Sequence, residues 1–181
     1  LTLAGYYFRA YREYDVRVMA RPPGLPPDVD AAEMAAGYAD ALAEFGPANV
    51  IGISLGGAIG AHLAAQTDLV RRLVLVSCGT GPGTYGRQTI QRWRDHAAAR
   101  RYRALHMDYI RTVYAGTRRL FVPPMYRAGA RLLPEPEAPG DVEYSCEAML
   151  GFDDSVLAAV SPPALVVGGR QDPLVPLERH R

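Results

Sequence analysis

The chain has 181 residues, 49% hydrophobic and 22% charged, with a formal net charge of +1. These proportions describe an ordinary globular chain and exclude a collagen-like, low-complexity or highly charged disordered one. No apolar run approaches the roughly 18 residues of a membrane-spanning helix, and the first residues carry no signal-peptide pattern, so no membrane partner is expected. Cys78 and Cys146 make no disulfide framework, and a reducing cytoplasm is the simplest home. At this length one domain with a sizeable core is the default.

Residues 1–14 have no clean period and read as a loop or short helix. Tyr14–Ala20 alternates apolar and polar residues and predicts a strand, stopped by Arg21-Pro-Pro-Gly24. A helix follows from about Asp30, where Asp30 and Glu33 have capping-box spacing. Met34, Tyr38, Leu42 and Phe45 share one face of it, and Gly46-Pro47 ends it.

The next stretch, Asn49-Val-Ile-Gly-Ile-Ser-Leu-Gly-Gly57, predicts a strand over Asn49–Ile53, a sharp turn at Ser54, and a helix from about Leu55 to Thr67. Gly52-Ile-Ser54-Leu-Gly56 fits the G-x-S-x-G pattern. A serine hydroxyl becomes a nucleophile only when lifted clear of its surroundings beside a base and oxyanion donors. The turn lifts it, Gly52 and Gly56 let the backbone bend, and the N–H groups opening the helix face a developing oxyanion. With 18 glycines and five serines, such flanking glycines arise by composition only about 0.05 times. A glycine-rich turn with an incidental serine is therefore the weaker reading.

Arg72–Ser77 is an apolar run typical of a strand buried on both faces, and Cys78-Gly-Thr-Gly-Pro-Gly-Thr84 is a loop. Gly86 to about Tyr114 predicts one or two arginine-rich helices, Phe121–Leu133 another, and Asp141–Gly151 a last one after the break at Pro134–Gly140. No strand is predicted there, so residues 80–154 read as an inserted helical cap between core segments 1–79 and 155–181. From Arg87 to Arg131 eleven arginines face only Asp95 and Asp108, a local charge of +9; the other nine arginines and seventeen acids leave −8. Such a segment can attract an anionic substrate, but a solvated helical face is the commoner outcome. Trp93, Tyr102 and Tyr109 form a helical stripe with Ile90, Leu105 and Val113. That is packing, and no nucleic-acid partner is expected.

Ala164–Gly168 predicts a second buried strand, and the turn-rich Gly169–Pro176 places Asp172 just past its carboxyl end. A plainer role for this aspartate is capping a turn before proline. Strand–helix alternation predicts an α/β fold, a doubly wound, mostly parallel sheet whose sites lie at the carboxyl ends of its strands. No cluster has metal-ligand spacing, and neither metal nor cofactor is expected.

The order of elements, Gly-Ile-Ser-Leu-Gly-Gly at 52–57 and Pro163–Pro176 together resemble the α/β-hydrolase superfamily, in the style of its capped esterase and lactonase-like members. The resemblance implies Ser54 as nucleophile, Asp172 as the acid and the Leu55 N–H as half of the oxyanion hole. It implies an ester, lactone or thioester substrate, and the basic cap hints at an anionic one. Oligomeric state is left open. The family's histidine lies some two dozen residues beyond the acid, whereas His62, His96, His106 and His180 are all out of register. Leu1–Gly5 looks like the residues following the family's His-Gly loop. An interior segment of a longer hydrolase is therefore expected, with a non-catalytic α/β-hydrolase-like binding protein as the alternative and a nucleic-acid-binding domain a distant third.

Overall fold

The computed structural model describes residues 11, 13–114, 117–129 and 136–180. Leu1–Gly5, most of the 1–14 segment and the end of the helix expected at 121–133 lie outside them. Three strands, β1 (Ala48–Ile53), β2 (Val70–Val76) and β3 (Ala164–Val167), form one parallel sheet in that order. Six α-helices accompany them among the described residues. They are α1 (Ala31–Phe45), α2 (Leu55–Gln66), α3 (Thr84–Ala98), α4 (Tyr102–Val113), α5 (Arg118–Gly129) and α6 (Asp141–Leu150).

Helix α1 begins where the local chemistry says it should. The Asp30 carboxylate accepts the Glu33 N–H at 2.8 Å and the Glu33 carboxylate accepts the Asp30 N–H at 3.1 Å, closing the capping box. Gly46, at φ 83°, ends the helix in a conformation that glycine adopts without strain. Met34 and Leu42 are buried, but Phe45 is exposed and lies beneath the Arg17 guanidinium, 4.2 Å from its ring centre.

Helices α1 and α2 pack together on one face of the sheet. There Leu73 and Leu75 join Met34, Leu42, Ala58, Ile59 and Leu63 in the main core. Gly60 lets α2 approach β2, since a Cβ there would sit 3.3 Å from the Leu73 side chain. Across the sheet, Ile51 stands in register with Val74 and Leu165, and Ile53 with Val76 and Val167. Ile51, Ile53, Leu165 and Val167 are exposed. Burial on both faces, expected for β2 and β3, is therefore not observed: apolar composition makes a strand fit to be covered, but no described element covers this face.

Tyr14–Ala20 is a second correction. It forms no strand, and Val16, Val18 and Met19 are exposed. An alternating pattern supplies the side chains of a strand, whereas the strand itself exists only when a neighbour takes its backbone hydrogen bonds.

Among its described residues the segment between β2 and β3 holds helices joined by loops and no strand. Helices α3 and α6 pack on each other and reach α2, where Ile90, Cys146 and Met149 form a small cluster against Leu55 and Trp93. Arg100, at φ 53°, separates α3 from α4, so the arginine-rich stretch is two helices. The Trp93 indole N–H donates to Asp108 at 3.0 Å, and its ring lies 5.4 Å from that of Tyr109. Arg92 and Arg94 pair with Asp108 and Asp95, the only two acids of the basic stretch. Asp141, opening α6, accepts the N–H groups of Leu25 at 2.8 Å and Gly24 at 3.1 Å, tying the helical segment to the loop before α1. Among the described residues no helix is long and apolar enough to cross a membrane.

Candidate active site

Ser54 sits between β1 and α2 at φ 54° and ψ −122°, a conformation that a residue with a Cβ adopts only under strain. Surrounding hydrogen bonds impose it. The Ser54 N–H donates to the Val76 carbonyl at 2.9 Å, and the Ser54 carbonyl accepts the Gly57 N–H at 2.8 Å. The side chain is exposed, as a nucleophile meeting its substrate must be.

The two flanking glycines play different parts. A Cβ on Gly52 would overlap the Gly56 carbonyl, so this position must be glycine. A Cβ on Gly56 would meet nothing within 4 Å, so the bend needs no small side chain there; what matters at 56 is the backbone that Gly52 accommodates. Leu55 and Gly56 lead α2, and N–H groups in a helix's first turn have no intrahelical acceptor. They supply the positive end of the helix dipole beside Ser54.

Asp172 lies five residues past β3, at the same carboxyl edge of the sheet. Its Oδ1 accepts the N–H groups of Leu174 at 2.9 Å and Val175 at 3.1 Å. This is the turn-capping role, and it also orients the carboxyl group. Among the described residues no hydrogen bond uses Oδ2, which leaves that oxygen to accept from an incoming group. A cavity of about 880 Å³ adjoins Asp172 and is lined also by Thr80, Thr84, Tyr85, Glu178 and Arg179. Ser54 does not line it. Ser54 and Asp172 thus share an edge, on β1 and β3 with β2 between, and are not joined by a direct bond.

Among the described residues no hydrogen bond links a histidine to Ser54 or Asp172. The His62 ring packs edge-on against Phe152, with centres 6.1 Å apart. His106 Nδ1 is 2.8 Å from the Tyr126 hydroxyl. His180 Nε2 lies 3.1 Å from the Val175 carbonyl, and its ring presses on Gly168 and Gly79. Among the described residues the buried Nδ1 atoms of His96 and His180 have no hydrogen-bond partner.

Two neighbours of the site escape sequence reasoning. Ser77, just past β2, is also left-handed, at φ 50°, and Cys78 is fully buried against α2. Burial pushes the Cys78 thiol up to about 12, so it is an inert packing group at neutral pH. The glycine-rich sequence after Ser77 signals a loop but not which residue turns it. No three His, Cys, Asp or Glu side chains among the described residues are grouped to hold a metal.

Comparison with known proteins agrees with this architecture. The family model described as the alpha/beta hydrolase family matches residues 2–181. A hydrolase from Pseudomonas aeruginosa superposes with a TM-score of 0.65 at 20% identity, covering 88% of this chain and 60% of that one. An alpha/beta hydrolase enzyme from a Medee basin deep-sea metagenome library gives 0.72 at 16% identity, covering 86% and 59%. The enol-lactonase from Burkholderia xenovorans LB400 gives 0.60 at 23% identity, covering 82% and 56%. The chain thus spans about 60% of the length of the solved structures it resembles. No curated protein matches it. With a parallel sheet flanked by helices and a family match along nearly its whole length, the chain belongs to the alpha/beta hydrolase family.

Proposed function

We propose that Ser54 is the nucleophile of a hydrolase that transfers acyl groups from a carboxylic ester, lactone or thioester. The observation that carries this reading is the strained turn at Ser54, at the carboxyl edge shared with Asp172 and at the head of α2. In the reaction Ser54 Oγ bonds to the acyl carbon, the alcohol or thiol leaves with a proton, and water then cleaves the acyl-enzyme. The Leu55 N–H stabilises the oxyanion, and Asp172 Oδ2 orients the histidine that carries the proton. The helical segment 80–154 serves as a cap over the site, and its arginine surplus favours an anionic small molecule. The enol-lactonase among the structural relatives supports this substrate range. No cofactor takes part.

Because no described histidine bonds Ser54 or Asp172, a non-catalytic binding protein is the second reading. A fluorophosphonate probe separates them. In the natural gene product Ser54 is expected to be phosphonylated, with S54A as the blank, whereas residues 1–181 by themselves should label weakly. Failure of the gene product to label would favour the binding protein. Strong labelling of the 181-residue chain would show that one of its own histidines serves as base.

A further inference from the structure

Two adjacent strands are each followed by a left-handed serine, Ser54 after β1 and Ser77 after β2, and only the first has a chemical role above. We propose that the loop Ser77–Gly83 is a positioning bridge, which sets the Ser54 turn through Cys78 and the Asp172 loop through its own backbone. The proposal rests on Ser54 as nucleophile and Asp172 as acid; Ser77 and Cys78 touch neither substrate nor reacting atoms.

The elbow flank comes first. The Ser77 N–H donates to the Val167 carbonyl at 2.9 Å, prolonging the sheet ladder past the strand ends as the Ser54 N–H does towards Val76. From Ser77 the chain passes to Cys78, whose side chain lies against α2. A Cβ on Gly57 would meet Cys78 Cβ at 2.5 Å and its Sγ at 3.0 Å. Real Cβ atoms do not approach so closely, so Gly57 is glycine because Cys78 is there. The Gly57 N–H is held by the Ser54 carbonyl at 2.8 Å, so any displacement at 57 reaches the nucleophile directly.

The acid flank is fastened by backbone. The Thr80 N–H donates to the Arg179 carbonyl at 2.7 Å, and the Gly83 N–H to the Leu174 carbonyl at 2.9 Å. Leu174 in turn donates its N–H to Asp172 Oδ1. A Cβ on Gly79, at φ 49°, would overlap the Arg179 carbonyl, and one on Gly83 would meet Pro176 at 2.9 Å. The loop thus has no slack on either side, and its width sets the separation of the two site residues.

The test is a reciprocal size swap in the natural gene product. It is read as the rate of Ser54 phosphonylation by a fluorophosphonate, in which the Oγ–P bond forms and fluoride leaves, together with the melting temperature. G57A should slow labelling about 100-fold, the scale expected for a nucleophile misplaced by about 1 Å. The double variant G57A/C78G, which removes the clashing Cβ, should recover most of that rate. G79A should also slow labelling, and C78G should not rescue it. G37A, at an open position on α1, should label at the wild-type rate. If G57A does not fold, C78V, which puts two branched γ carbons where the wedge has one sulfur, takes its place and should slow labelling. Wild-type rates in folded G57A or C78V would overturn the bridge. So would a double variant that regains its melting temperature without its labelling rate. An unlabelled wild type would instead overturn the catalytic reading on which the bridge depends.

Discussion

Raising the pH tests the packing beneath the Ser54 turn directly. Cys78 is wedged beneath Gly57 and Cys146 lies in the cluster against Leu55, so both thiols touch the elbow helix or its neighbours. Burial is the main cause that pushes each to about 12, from an unfolded value of 9.0. Each folded pKa is raised, so the folded state binds the proton more tightly. Stability is fully present below about pH 9 and is lost as pH climbs towards 12. At about pH 10.5 the unfolded thiolate is favoured over roughly 1.5 pH units, which at 1.36 kcal/mol per unit is about 2 kcal/mol per thiol. The assay is urea unfolding at about pH 7.5, 9 and 10.5 under reducing conditions. Burial also raises Tyr38 and Tyr126, so the informative quantity is the difference between wild type and C78A or C146A. Wild type should lose about 2 kcal/mol more than either variant between neutral and pH 10.5. Parallel pH profiles would refute the burial argument for that thiol.

Three further outcomes follow from the same geometry. D172N keeps an oxygen for the Leu174 and Val175 N–H groups but loses the carboxylate charge. It should slow Ser54 labelling by about 10²–10⁴-fold with the melting temperature nearly unchanged. An unchanged rate would remove Asp172 from the site. L73A deletes a side chain only 1% exposed at the centre of the main core, and should cost about 3–4 kcal/mol in urea unfolding with an unchanged slope. D30A breaks the capping box of α1 and should cost about 1 kcal/mol, seen as an earlier midpoint in the same assay.

What the sequence determined alone is local. The Gly52–Gly56 turn, the Asp30–Glu33 box and the placement of Asp172 after a strand each depend on residues within a few positions of one another, and all three stand where short-range chemistry puts them. Tertiary structure decided whatever needs a partner distant in sequence. Tyr14–Ala20 has the alternation of a strand but no strand partner among the described residues, and β3 has the composition of a buried strand but is exposed at all four residues. Gly57 reads as one more helix glycine until Cys78, twenty-one residues on, is brought beneath it, and Gly56 reads as a steric need until its surroundings prove empty. Nothing in composition marks Ser77 as left-handed. Hydrogen bonds to β3 and the floor of α2 hold it there, and both exist only once the sheet has assembled.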